Sequence, residues 1–241
     1  MKKKLLAISL VVALIAIATV GGSLAWFMDE DETTNVFTIG SVEIEQLEKQ
    51  YDDEGNLVDF EQNKQLIPVI SNQTPENDPN YQDKIVTVEN KGKNAAWVQT
   101  FIAVPKALND AGVLHLDTNE GDWAAPVAVG SVTEDKIVDG GSTTLEYNVY
   151  KFVYNTTLAA AATTSAVLDG VYIDQAADMD ITYDDEGNIS TAYFVMSGET
   201  ITDFNANGNL NVYVATQAIQ AQGFDTAAAG LANFATHPWA E

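Results

Sequence analysis

The 241-residue sequence predicts an all-β protein, an antiparallel β-sandwich of jelly-roll type with short peripheral helices. Three observations carry that class. Short runs rich in β-branched and aromatic residues alternate with a period of two. Turn words built from Asp, Asn and Gly separate those runs. One persuasive helical stretch occurs, close to the end, and many short strands with one late helix fit a sandwich better than a layered α/β fold.

The elements follow in chain order. Val36, Thr38, Gly40, Val42 and Ile44 share one parity of a predicted strand over 35–44, with Phe37, Ile39, Ser41 and Glu43 on the other. Ile85 to Glu89 is a second strand, and Lys91-Gly92-Lys93-Asn94 a turn. Ala95 to Val104 is apolar on both parities and reads as a central strand buried on both faces. Pro105 to Ala111 suits a short helix. Thr143 to Tyr154, Ser165 to Ile173, Thr191 to Ser197 and Leu210 to Ile219 are further strands. The word Tyr-Asp-Asp-Glu-Gly-Asn occurs twice, at 51–56 and 183–188, and each copy reads as a hairpin tip. Residues 71–81, with Pro75 and Pro79, form an exposed loop. Asp225 or Thr226 caps a helix whose body is Ala227 to Phe234.

The amino terminus has the form of an export signal. Met1-Lys2-Lys3-Lys4 precedes an apolar run, Leu5 to Val20, in which Ser9 and Thr19 are the only polar residues. Gly21-Gly22 ends it, and Ser23-Leu24-Ala25 places small residues where a signal peptidase needs them. Cleavage is expected after Ala25, with Trp26 the alternative. A retained anchor is the competing reading, since the run and its flanks nearly span a bilayer; the small-residue site favours cleavage and no stable membrane insertion afterwards. The expected organisation is therefore a signal peptide over 1–25, an amino-terminal strand segment over 26–44 and a jelly-roll domain over 45–241.

Composition excludes several functions. The chain has 35 acidic residues against 11 basic ones, all lysine, for a formal net charge of −24. Such a surface repels nucleic acid. Three of the eleven lysines and no acid lie in the leader, so the exported chain carries −27. With no cysteine there are no disulfides, thiolate metal sites or thiol nucleophiles. The two histidines, His115 and His237, form no H-E-x-x-H motif, and no G-x-S-x-G is present. No catalytic or cofactor-binding residue is assigned, and no enzyme activity is expected. Asp203, Asn205 and Asn207 match the D-x-N-x-N-G opening of a calcium loop, but Val214 stands where the bidentate Glu belongs and no helices flank it. A polar turn explains the same residues, and calcium is the one cofactor left open. Tyr147, Tyr150, Phe152 and Tyr154 crowd one strand; burial in the core accounts for them better than a binding row.

Two stretches carry a family resemblance: Gly21 to Asp29, with its Ala25-Trp26-Phe27 boundary, and Asn35-Val36-Phe37-Thr38-Ile39-Gly40 leading into Val42 and Ile44. Together they resemble the start of the TasA/camelysin family, exported through the signal peptidase SipW. Lys84 to Gln99, Tyr150 to Asn155 and Ala218 to Phe224 are similar to segments of related proteins. Gln99 stands where relatives often carry Arg, and Ala160-Ala161-Ala162 replaces a usual Pro-Gly.

The resemblance implies a secreted subunit of extracellular biofilm-matrix fibres at the cell surface of a bacterium. Its amino-terminal strand would insert into the next copy, making a head-to-tail homopolymer that other matrix proteins can join. The donor residues carried over are Phe27, Val36, Phe37, Ile39, Val42 and Ile44. A monomeric adhesin or binding module is the alternative. Camelysin-like metalloprotease activity is a further one, for which this chain has no zinc motif.

Overall fold

A computed structural model describes residues 28–31, 42–61, 66–206, 210–234 and 236–240. Thirteen strands are defined among them: β1 (Met28–Asp31), β2 (Ile44–Tyr51), β3 (Leu57–Asp59), β4 (Gln82–Asn90), β5 (Ala96–Pro105), β6 (Leu114–Thr118), β7 (Val127–Thr133), β8 (Glu146–Val153), β9 (Leu168–Ile173), β10 (Asp178–Tyr183), β11 (Ile189–Met196), β12 (Glu199–Thr200) and β13 (Tyr213–Gln220). Three short α-helices accompany them, α1 (Lys106–Asp110), α2 (Glu134–Ile137) and α3 (Ala227–Leu231), with one 3-10 turn at Pro75–Asn77. No described helix is long and apolar enough to cross a membrane.

The strands form two five-stranded antiparallel sheets, ordered β1-β13-β5-β8-β7 and β3-β2-β4-β9-β6, and a small sheet β10-β11-β12. The chain crosses between the large sheets after β1, β4, β5, β6 and β8, which makes the sandwich of jelly-roll type that the sequence predicts. Side-chain alternation explains why β5 lies at the centre of its sheet. Val98, Ile102 and Val104 enter the main core with Val86 and Val88 of β4 and Leu168 of β9. Phe101 and Ala103, on the opposite parity, enter a second cluster with Tyr147, Val149, Ala215 and Trp239. One face of the first sheet thus packs against the other sheet. Its reverse face is covered by the carboxy-terminal segment.

Both repeated words are hairpin tips, joining β2 to β3 and β10 to β11. They share one loop geometry. The Asp52 carboxylate accepts from the backbone N–H of Glu54 and Asn56, and Asp184 accepts from Glu186 and Asn188. Gly55 and Gly187 take φ of +81° and +83°, a left-handed conformation that a side chain would strain. The Thr226 hydroxyl accepts from Ala229 N–H at 3.2 Å and caps α3, which ends at Leu231, short of Phe234.

Candidate functional site

The open edge of the first sheet is where the amino-terminal segment meets the folded domain. β1 pairs antiparallel with β13, Met28 opposite Ile219 and Asp31 opposite Thr216. On its other side β13 pairs with β5 over eight positions, Tyr213 opposite Ala103 to Gln220 opposite Ala96. β13 contains no charged residue, and residues Val214 to Ile219 are all buried.

Polar pairs fix the register of β13. The Gln99 amide donates to the Gln217 carbonyl at 2.7 Å, both side chains buried. One position along, on the opposite face, the Thr100 and Thr216 hydroxyls lie 3.0 Å apart. Thr216 donates across the sandwich to Gln46 of β2 at 2.9 Å, and the Gln46 amide returns to the Val214 carbonyl at 3.3 Å. A slip of one residue would set these polar groups against apolar ones on both faces. The outer face is sealed by α3. A Cβ on Gly230 would come within 3.0 Å of Ile219 Cγ2 and 3.2 Å of Trp97 Cδ1, so glycine there lets the helix sit close.

A second polar centre pins the beginning of β13. Glu134 Oε1 accepts from the Tyr213 hydroxyl at 2.9 Å, the Tyr147 hydroxyl at 3.0 Å and the Asn211 amide at 3.4 Å. Oε2 accepts from Ser142 N–H at 3.0 Å. Partial burial pushes the Glu134 pKa upward. The donated hydrogen bonds outweigh it and hold the carboxyl below its ordinary value. Burial, followed by the charge of Glu134, raises Tyr147 far above the usual phenol range and leaves it a donor at every physiological pH.

The histidines occupy separate environments. His115 Nε2 lies 2.9 Å from Asp174 Oδ2, and its ring stacks on Tyr172 at 4.9 Å. Asp174 also accepts from the Asn72 amide at 3.0 Å and from Ala176 N–H at 2.7 Å. His237 is buried near Trp239, and burial lowers its pKa. Among the described residues, no group of three or more His, Asp and Glu side chains could hold a metal ion.

The residues singled out from sequence divide as follows. Ala25, Trp26, Phe27, Val36, Phe37, Ile39 and Asn207 lie outside the described residues. Val42 and Ile44 are buried in the main core of their own chain, and Ile44 opens β2. Asp203 is exposed, while Asn205 accepts from Ala192 N–H at 3.3 Å. Phe204 between them is buried and anchors that turn to the core. Tyr147 and Phe152 are core residues, with Tyr150 and Tyr154 packed against the core in part. Sequence reasoning missed Gln99, Gln217 and Glu134 as organisers of β13. Their only signal is a polar residue inside an apolar strand, or an acid just after one.

No family model matches the chain, and neither a curated protein nor a solved structure matches it significantly.

Proposed function

We propose that this is a secreted, non-enzymatic structural protein of the TasA/camelysin kind, whose subunits join head to tail by donating the segment before Val42 to the β13 edge of the next copy. The carrying observation is the pairing of β1 with β13. This strand is bound to the domain as an edge strand and stands apart from β2 in sequence.

Ten residues, 32–41, connect β1 to Val42. Extended, ten residues reach about 35 Å, roughly the width of a small domain. The same four-residue pairing can therefore form with the strand's own β13 or with a neighbour's. Closure within one chain is favoured by an effective concentration in the mM range. Exchange prevails where subunits are concentrated at the surface they are exported from. Each contact uses two different patches and leaves one of each free, so it propagates as a filament. Backbone pairing along a sheet edge supplies the contact, as in strand addition generally.

The register supplies a direct test. The chain has no cysteine, so Asp29→Cys with Ala218→Cys introduces a single cross-strand pair. Oxidation at high concentration is expected to give a covalent ladder of dimers, trimers and longer species. Filaments should be visible by electron microscopy before oxidation. Deleting residues 26–41 should abolish filaments and leave a folded chain, because the core residues Val42 and Ile44 are retained. Only internally bridged monomer at every concentration, or filaments unchanged by the deletion, would refute strand donation; the former would leave a monomeric binding module.

A further inference from the structure

The three sheets have six edges among the described residues, and five of them carry charge. β1 has Asp29, Glu30 and Asp31; β3 has Asp59; β6 has Asp117; β10 has Asp178 and Asp180; β12 has Glu199. β7, at the end of the first sheet opposite β1, reads Val-Ala-Val-Gly-Ser-Val-Thr and has neither charge nor proline. Six of its seven residues pair with β8, Val129 being skipped at the bulge, and among the described residues no strand pairs with its other side. Val127 is 54% exposed, and Ala128 and Ser131 are exposed as well. Folded proteins ordinarily guard a long edge with charge, with proline or by covering it. Here the guard is a bulge between Ala128 and Gly130, which twists the strand without covering its free N–H and C=O groups.

We propose that β7 is a self-association edge, where two copies of this chain pair antiparallel about a two-fold axis near Gly130. The occupant follows from charge. A protein of net charge −24 repels its own copies wherever acids face each other. β7 is the described sheet edge at which a second copy places no like charge opposite itself. A cationic partner would gain nothing from this strand and would be drawn to the acidic edges. β7 is also self-complementary, because two-fold pairing sets valine, alanine, serine and threonine against one another, and an interface of this kind is isologous. Val129 and Val132 already rest on the cluster of Tyr147, Val149 and Trp239, so pairing carries that apolar surface across the axis. The bulge limits the ladder to a few residues and makes the dimer a readily reversible one. This pairing does not depend on strand donation. In filaments it would join two side by side.

Ser131 is exposed and adjacent to the axis, so its two copies lie close in the pair and a charge there leaves folding intact. Sedimentation of the exported chain is expected to show a concentration-dependent dimer. Ser131→Asp should weaken that dimer by up to about fivefold, on the scale of like charges set across a strand pair. Mixing Ser131→Asp with Ser131→Lys protein should restore association above that of Ser131→Asp alone, which damage to the fold could not do. If filaments form, their width is read instead, paired for the parent chain and single for Ser131→Asp. Dimers that Ser131→Asp weakens, with no filaments, would refute strand donation and uphold the β7 pair. Monomer alone up to about 1 mM, the limit of affinities worth about 4 kcal/mol, would overturn the proposal. So would a dimer or paired filament indifferent to Ser131→Asp.

Discussion

Replacing Glu134 tests how the strand β13 is held. Its carboxylate joins α2, β8 and β13 through four donors, three on Oε1 and one on Oε2. Hydrogen bonds to a charged group are worth about 1.5–3 kcal/mol each, and a buried donor left unpaired costs about 1–3 kcal/mol. Tyr147 is fully buried, whereas Tyr213 and Glu134 are only partly so. Water can replace part of what the exposed groups lose, which brings Glu134→Ala to about 2–4 kcal/mol of lost stability. Glu134→Gln keeps an acceptor at Oε1 for both tyrosines but turns an amide donor toward Ser142 N–H, and should lose about 1 kcal/mol. Urea unfolding of the two variants beside the parent measures both values. The pH dependence has a definite sign. The folded carboxyl titrates below its ordinary value, so its contribution is present above pH 4.5 and lost as pH falls through the folded value. The gap between parent and Glu134→Gln should therefore narrow on acidification below that pH. Glu134→Ala costing under about 0.5 kcal/mol, or Glu134→Gln costing as much as Glu134→Ala, would refute this account of the centre.

Three further outcomes are expected. Val42→Ala, in a chain already lacking residues 26–41, should cost about 2 kcal/mol by urea unfolding, because Val42 is fully buried in the main core; no effect would return Val42 to the donated segment. Gly170→Ala would place a Cβ 2.3 Å from Tyr81 Cζ and Oη, forcing the ring from its 2.9 Å hydrogen bond to Asp117. It should cost about 1–3 kcal/mol, and far less in a Tyr81→Ala background, where the obstructing ring is gone. Assembly should increase with added salt and toward acid pH, since copies of net charge −24 repel one another until screened or protonated. Filament yield flat across pH 4–8 and across added salt would contradict that.

The legible parts of this fold were those in which local pattern and tertiary demand coincide. β8 and β9 fall within runs read from the sequence, and β4, β5, β11 and β13 overlap theirs with one or both ends displaced, because each has a face in a core. Both tips were legible because the Asp, Gly and Asn positions solve a local hydrogen-bonding problem. β7 was not legible. It is an edge strand with small residues, a bulge and Pro126 just before it, and most of its side chains are exposed, so neither parity stands out. β10 was hidden for the same reason, with five of its six side chains exposed, the sixth only half-buried, and acids at 178 and 180. Val42 and Ile44 share the parity of Val36 and Thr38, which joined them to the preceding segment on paper. Their burial beside β4 and β5 is a tertiary fact that no local pattern contains. Gln99 and Gln217 lie 118 positions apart, and nothing in either neighbourhood announces the other.

The polar fixings of β13 bear on whether its edge can receive a strand at all. A sheet edge formed only when the donor arrives must be ordered at that moment, at about 1–2 kcal/mol per residue. β13 does not depend on β1 in that way. It is bound to β5 over eight positions, whereas β1 adds four. Gln99–Gln217, Thr100–Thr216–Gln46 and the Glu134 centre act from the β5, β2 and α2 sides. On the strand-donation proposal, β13 would be held largely by β5, β2 and α2 before a strand arrives, and the entropy of pairing would fall mainly on the donor. That asymmetry is what strand donation needs, since a preorganised acceptor converts more of each backbone hydrogen bond into affinity. It also makes loosening β13 separable from removing the donor. Glu134→Ala should leave the donor segment intact and still reduce its capture, with the reduction appearing in the covalent ladder of Asp29→Cys/Ala218→Cys protein. A ladder unchanged by Glu134→Ala, in protein that urea unfolding shows to be destabilised, would mean that order in β13 is not what captures the strand.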